Sequence, residues 1–295
     1  MMRLLILGDL HGRIPELPEE PYDAIIAPGD IIGDSLRSYL KAWIKEAKTH
    51  PIDFETYCSV DKQEELEDEA IAQGEKVLSH LNAQGVPVYL VPGNWDPVPL
   101  VDGLPSRLRP RSTQKSNRWK TMLKPYTNIH DVMHTTLTCN GLTIIGHGAT
   151  SEPEILEVDE ELAETADNET LKQARHDKKV SKRLHKLFSK TNGPVLLLSH
   201  NVPYETPLDI INNPGSPLHE QHYGSLLARE LIETYEPLLC VGGHIHEGRG
   251  QTSIGPTTCI NGGFGSKTYA IVELDTESPR VSSVTFYGEN QSWDD

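Results

Sequence analysis

The sequence predicts an α/β fold, with mixed sheets inside and helices outside, from three observations. Six short apolar runs, at 4–7, 24–27, 86–91, 142–145, 195–198 and 238–241, are rich in branched residues and bounded by Gly or Pro, the pattern of buried strands. Between several of them the apolar spacing turns helical. The C-terminal end turns back to strand-like segments.

In chain order, 4–7 is a strand that ends in Gly8-Asp9-Leu10-His11, and 24–27 is a second that ends in Pro28-Gly29-Asp30. Residues 35–47 carry Leu36, Leu40, Trp43, Ile44 and Ala47 at helical spacing, and 64–81 carry Leu66, Ala70, Val77, Leu78 and Leu81, interrupted by Gly74. Both helices are expected to cover one sheet face. The strand at 86–91 ends in Pro92-Gly93-Asn94-Trp95-Asp96, and the strand at 142–145 ends in Gly146-His147-Gly148. A basic helix over 172–190 presents Val180, Leu184 and Leu187 on one side and is expected to pack on the core. The strand at 195–198 runs into Ser199-His200-Asn201. A short amphipathic helix at 226–235, ended by Pro237, leads to the strand 238–241 and then to Gly242-Gly243-His244-Ile245-His246. Segments 267–272 and 281–287, joined across Ser278-Pro279, read as a terminal hairpin.

The chain has 295 residues, enough for a sizeable core. No internal repeat or low-complexity linker divides it, so a single domain over 1–295 is expected, with a charged helical insertion at about 151–190. Lys and Arg number 27 against 43 Asp and Glu, a formal charge of −16. That balance argues against a nucleic-acid or anionic-membrane partner, since both are polyanions. Cys58, Cys139, Cys240 and Cys259 have no paired close spacing, so neither a thiolate zinc site nor a disulfide framework is expected, and a reducing cytoplasm fits. The apolar run near the N-terminus is too short for a signal peptide and no run approaches a membrane span. Nothing in the sequence fixes the oligomeric state.

Two stretches stand apart in charge. Residues 103–130 hold seven bases (Arg107, Arg109, Arg111, Lys115, Arg118, Lys120 and Lys124) and no acid, whereas 151–170 hold nine acids and no base. Solvated, mutually compensating faces are the plain reading. A basic rim that draws in a phosphorylated substrate is the functional alternative.

The chemistry-bearing residues are Asp9, His11, Asp30, Asn94, His200, His244 and His246. A lone His after a strand is more often structural than a ligand, and a lone Gly-Asp is usually a turn. Seven such residues at five strand ends, where open α/β sheets place their ligands, are hard to explain that way. Carboxylates and imidazoles together suit borderline divalent metals, and an Asn carbonyl adds a neutral oxygen. Seven ligands exceed one tetrahedral ion, so two ions sharing a bridging carboxylate are expected.

At these residues the chain resembles the calcineurin-like metallophosphoesterases, in the family's order: Asp-x-His at Asp9 and His11, Gly-Asp at Asp30, Gly-Asn-x-Asp at 93–96, a strand-end His at His200, and Gly-His-x-His at 243–246. The run Gly243-His244-Ile245-His246-Glu247-Gly248-Arg249-Gly250, preceded by His222-Tyr223-Gly224-Ser225, looks most like a branch of small prokaryotic-type phosphoesterases. The resemblance implies a four-layer α/β/β/α sandwich of two mixed sheets. It implies that Asp9, His11 and His246 hold one ion, that Asn94, His200 and His244 hold the other, and that Asp30 bridges. The ions would be divalent, Mn first, with Fe, Zn, Co or Ni as alternatives. Attack by a metal-bridging hydroxide on a small phosphorylated substrate, a phosphodiester ahead of a monoester, is the implied reaction.

One departure matters. Many family members carry His where this chain has Trp95, and that His protonates the leaving oxygen. An indole N–H cannot serve as an acid near neutral pH. His222, in a Gly-containing stretch between two ligand-bearing strands, is the first candidate donor and His147 the second; with Asn94 they complete the expected catalytic set. Asp96 is expected to orient a neighbour rather than bind metal. A nuclease and a non-catalytic metal-binding module are the alternatives. The acidic balance counts against the first, and the intact ligand set counts against the second.

Overall fold

The computed structural model of the chain describes residues 1–99, 117–275 and 277–290. Within them lie two six-stranded mixed sheets. The first contains β1 (Met2–Leu7), β2 (Ala24–Ala27), β3 (Val88–Leu90), β4 (Ile129–Asp131), β11 (Tyr269–Asp275) and β12 (Arg280–Tyr287), in the order β12-β11-β1-β2-β3-β4. The second contains β5 (Thr136–Cys139), β6 (Leu142–His147), β7 (Val195–Asn201), β8 (Leu239–Gly243), β9 (Gly250–Ile254) and β10 (Thr257–Asn261), in the order β5-β6-β7-β8-β10-β9. In each sheet four neighbouring strands are parallel, β1-β2-β3-β4 and β6-β7-β8-β10, so their carboxyl ends share one edge.

The continuous apolar runs follow from burial on both faces. Alternate residues of a strand point opposite ways. Leu4, Ile6, Ile26, Tyr89 and Val91 of the first sheet join Ile144, Leu196, Leu198, Val241 and Ile260 of the second in one core between the sheets. Leu5, Leu7, Ile25, Val88 and Leu90 face outward onto Ala70, Val77, Leu78 and Leu81. These belong to helix α3 (Val60–Asn82), which lies with α1 (Ser35–Ala47) and the single turn α2 (Phe54–Tyr57) on that side. The short α4 (Arg118–Leu123) adds Trp119 and Met122 to the same layer. Outside the second sheet, Val180, Leu184 and Phe188 of α6 (Asn168–Phe188), with Leu227, Ala228, Leu231 and Ile232 of α7 (Leu226–Tyr235), cover Ile145, Leu197, Cys240 and Cys259. The result is a helix, sheet, sheet, helix sandwich.

Several expectations are corrected. The chain 151–190, read from sequence as an insertion, supplies the crossover that parallel β6 and β7 require: α5 (Glu160–Thr165) and then α6, whose apolar side packs on their sheet. Helix α3 starts at Val60, capped by the Ser59 hydroxyl on Lys62 N–H, and runs through Gly74 without interruption. His147 and His200 lie inside β6 and β7 rather than beyond them. In the basic stretch, Arg107, Arg109, Arg111 and Lys115 lie outside the described residues; Arg118 reaches back to α3, pairing with Glu67 at 2.6 Å and with Asp68. All four cysteines are free and buried. Among the described residues no helix is long and apolar enough to cross a membrane.

Glu154 ties the crossover to the rest. Its buried carboxylate meets His147 Nε2 at 2.8 Å and accepts from the Ser225 hydroxyl at 2.6 Å and from the Leu227 N–H at 3.2 Å. A negative charge there also complements the N-terminus of α7. Burial raises the pKa of this acid, but the His147 and Ser225 bonds outweigh it and hold it below its ordinary value of 4.5. Glu154→Ala leaves a buried imidazole and hydroxyl without their partner, and urea unfolding is expected to show a loss of about 3–5 kcal/mol. Because the folded pKa is depressed, the ionised carboxylate contributes fully above the unfolded value and loses its contribution as pH falls through the folded one. The gap between variant and wild type should therefore narrow below pH 4.5; a gap unchanged between neutral and acid pH would contradict this role.

Candidate metal centre

The loops at the carboxyl edge are stitched to one another by main-chain and carboxylate bonds. Leu10 and His11, after β1, donate their N–H groups to the Asp30 carbonyl, after β2, at 3.2 and 2.8 Å. The Asp96 carboxylate, fully buried, accepts from Ile31 N–H at 3.0 Å, Ile32 N–H at 3.2 Å and Gly93 N–H at 2.7 Å, which joins the β2 and β3 loops. The His244 N–H donates to Asp9 Oδ2 at 2.9 Å across the two sheets. Glycine is required where these loops touch: a Cβ on Gly93 would lie 2.1 Å from Asp30 Oδ1, and one on Gly243 2.1 Å from Asp9 Oδ1. His11, Asp30 and His244 adopt left-handed backbone, with φ of 44°, 49° and 66°. Each such residue costs about 1–2 kcal/mol, and backbone strain of this kind gathers where function demands a direction.

The structure brings all seven expected ligand residues together. Asp9, His11 and His246 present ligand atoms within 4.8 Å of one another, as do Asp9, Asp30 and His200. Asp30 Oδ2 stands between the two groups, 3.4 Å from His11 Nε2 and 3.8 Å from His200 Nε2. One end of the Asn94 amide lies 3.0 Å from His200 Nε2, 3.2 Å from His244 Nδ1 and 3.1 Å from Asp30 Oδ2, while its other end lies 3.2 Å from Trp95 Nε1. Asp9 Oδ1 is buried without a hydrogen-bond donor among the described residues.

The far nitrogens explain which lone pairs point inward. His200 Nδ1 donates to the Pro28 carbonyl at 2.9 Å and His244 Nε2 to the Ser151 carbonyl at 3.0 Å, which leaves His200 Nε2 and His244 Nδ1 as acceptors facing Asn94 and Asp30. Asp34 Oδ1 lies 2.8 Å from His11 Nδ1 and orients that ring likewise. His246 stacks on Phe264 with ring centres 4.3 Å apart and meets Asp9 Oδ2 at 3.0 Å. With the Asn94 carbonyl turned inward, it converges with Asp30 Oδ2 and the inner nitrogens of His200 and His244; a buried set of acceptors is what a cation satisfies, so the donor set fits divalent metal.

Electrostatics agree. Burial, then the Asp30 charge, raises the Asp9 pKa well above the usual carboxylate range. Burial lowers His200 and His246, and pushes His244 down to about 3, so these imidazoles are neutral and ready to bind metal. Burial and Asp30 push Asp96 up to about 7. Asp34 is held at about 2, because His11, Arg37 and Arg13 outweigh its burial.

Above the cluster opens a cleft of about 750 Å³. Its wall includes Arg37, Leu40, Lys41 and Ile44 of α1, Trp95, Ile211, Leu218 and Tyr223, with His11, Asp30, Asn94, His244 and His246 at the polar end. The two histidines expected as proton donors do not line it. His147 is fully buried, held by Glu154 and stacked on His134 with ring centres 6.0 Å apart. His222 is tethered through Nδ1 to Asp209 at 2.7 Å beside Tyr204; its neighbour Tyr223, not its own ring, reaches the wall. Sequence reasoning missed Asp34, Arg37 and Ser151. Asp34 occupies the N-cap position of α1 without capping it, an acid diverted from the role its position suggests.

Comparison with known proteins bears on the same residues. No curated protein matches the chain. One crystal structure superposes with a TM-score of 0.60 at 17% identity, covering 97% of this chain and 99% of the other. The protein TT1561 of Thermus thermophilus superposes with a TM-score of 0.52 at 18% identity, covering 96% of this chain and 98% of its own. At such identities these likenesses speak for the fold alone. A family model, that of the calcineurin-like phosphoesterases, matches residues 2–248, a span that takes in all seven clustered residues. The family is one of dinuclear, metal-dependent phosphoester hydrolases, and it is the family to which this chain belongs.

Proposed function

We propose that the chain hydrolyses small organic phosphodiesters with two divalent ions, manganese first, Asp9, His11 and His246 holding one, Asn94, His200 and His244 the other, and Asp30 both. The observation that carries this reading is the convergence of the seven side chains, with the outer nitrogens of His200 and His244 tied to carbonyls so that their inner lone pairs meet. When bound, such ions supply Lewis acidity and a nucleophilic water near neutral pH. The protein's own groups fix, orient and desolvate: Asp96 and the glycines lock the loops, Asp34 aims His11, and Trp95 shields the Asn94 side. The cleft suits a small ester in size, and Leu40, Ile44, Ile211 and Leu218 offer its organic arms an apolar wall. Arg37 and Lys41 are the lysine and arginine residues on the described wall, which also carries the carboxylates of Asp30 and Glu247, and this balance favours the single charge of a diester over a dianionic monoester. A surplus of 16 negative charges counts against a nucleic-acid partner. The four buried free thiols support a reducing cytoplasm.

The test is metal content of the purified protein together with turnover of bis-p-nitrophenyl phosphate under added manganese. His11→Ala removes one proposed ligand from one ion. Losing a partner that merely orients a ligand costs about 10–100-fold in affinity or activity, so the loss here should be at least that, recovering in part as manganese is raised. Indifference of the variant to added metal would count against the ligand role of His11.

A further inference from the structure

Arg37, outside the proposed ligand set, is a cation on the described wall of the cleft. Its guanidinium carbon lies 5.6 Å from the centre of the Trp95 ring, within cation–π range. Asp34, which also aims His11, lies 3.7 Å from its Nη1 and fixes its approach. The side chain is 16% exposed, so it is largely desolvated yet lines the same cleft as Asp30, Asn94 and His244. Trp95 is itself fastened to the cluster: its main-chain N–H donates to Asp30 Oδ1 at 2.8 Å. The indole, on a residue whose main chain is anchored to the proposed bridging ligand, thus acts as a shelf that carries a flat cation at the edge of the reaction space.

From this arrangement, and resting on the phosphoesterase reading above, we infer that Arg37 is a catalytic residue that holds the leaving-group oxygen of the substrate by charge-assisted hydrogen bonds, in place of a proton donor. Hydrolysis forms a P–O bond to a water oxygen and breaks the P–O bond to the leaving group, whose oxygen keeps the electron pair. Arg37 meets that charge with N–H donors and keeps its own protons. The proton released by water goes to solvent, and the departed oxygen takes one from solvent. Burial lowers the guanidinium pKa only to about 10, so it stays charged at neutral pH and donates hydrogen bonds rather than acid. A fixed donor at a developing oxyanion is worth about 10²–10³ in rate.

The test compares wild type, Arg37→Met and Arg37→Lys, loaded with manganese, on bis-p-nitrophenyl phosphate and on an alkyl p-nitrophenyl diester series extended to dialkyl esters, with inorganic phosphate binding followed by calorimetry. Arg37→Met keeps the apolar stem and removes the fork. It is expected to retain bound metal and lose about 10²–10³ in kcat/KM on esters with alkoxide leaving groups, but less than roughly tenfold where nitrophenolate departs. Phosphate, whose fourth oxygen takes the leaving position, should bind about 10–100-fold more weakly. Arg37→Lys keeps the charge near Asp34 but not the flat fork, and should recover only part of the alkoxide rate while melting as wild type does. Equal losses on both ester classes, loss of metal from Arg37→Lys, or wild-type alkoxide rates in Arg37→Lys would each overturn the inference alone. Absence of any ester turnover by the wild type would overturn the phosphoesterase reading, and this inference with it.

Discussion

Asp30→Asn is expected to abolish turnover and remove most bound metal while leaving the fold intact. Asp30 is the proposed ligand common to both ions, since its Oδ2 stands 3.4 Å from His11 Nε2 and 3.8 Å from His200 Nε2. An amide lacks the second charge-bearing oxygen that lets a carboxylate serve two cations, and without it their mutual repulsion is unrelieved. Charge stabilisation by each ion is worth several kcal/mol, and roughly 1.4 kcal/mol is tenfold in rate, so the activity loss should be about a thousandfold or more. The fold should tolerate the change: the Asn oxygen can still accept from Trp95 N–H, now 2.8 Å from Asp30 Oδ1. Its NH2 can face the lone pairs of His11, His200 and the Asn94 oxygen. In the metal-free protein the substitution even relieves the repulsion between Asp9 and Asp30 that raises the Asp9 pKa. Thermal melts in EDTA should therefore show the variant at least as stable as wild type. Two ions per chain by plasma emission, with near-normal turnover, would show the bridging assignment to be wrong.

The proposed ligands and the residues that aim them are unequally legible in the sequence. Asp9, Asp30, Asn94 and His244 stand out because each follows an apolar run and neighbours a glycine, with His246 two residues further on, and an edge of parallel strands collects such positions without any further instruction. His147 shows the limit of that logic. It follows a strand-like run and a glycine in the same way, yet Glu154, seven residues on, turns back and claims its Nε2. The residues that aim the proposed ligands were not legible. Ser151 acts through a main-chain carbonyl, which no side-chain pattern reports. Asp34 reads as a helix cap, and only the packing of α1 over the cleft turns it to His11. The short outer strands β5 and β9 were missed for a different reason: half-exposed and flanking the parallel core, they lack the unbroken apolar character of the buried strands.

The leaving group is expected to dominate the rate. With Trp95 at the position where the family resemblance implies a proton-donating histidine, and with Arg37, in the role inferred above, able to stabilise charge but not neutralise it, departure of an alkoxide is expected to go without an acid from the described wall of the cleft. General-acid assistance is typically worth about 10²–10⁴, and its absence penalises basic leaving oxygens far more than phenolates. A plot of log kcat/KM against leaving-group pKa, over aryl and alkyl phosphodiesters with manganese saturating, should fall steeply, and the alkyl end should lie below an acid-assisted line by that factor. His222→Ala should leave the slope unchanged, because its Nδ1 is engaged by Asp209 and its ring does not line the cleft. His147→Ala should leave it unchanged as well, since the ring is fully buried against Glu154, and should act on stability instead. A flat plot in the wild type would show that a proton donor is present, and a slope that then steepens on replacing His222 would identify it.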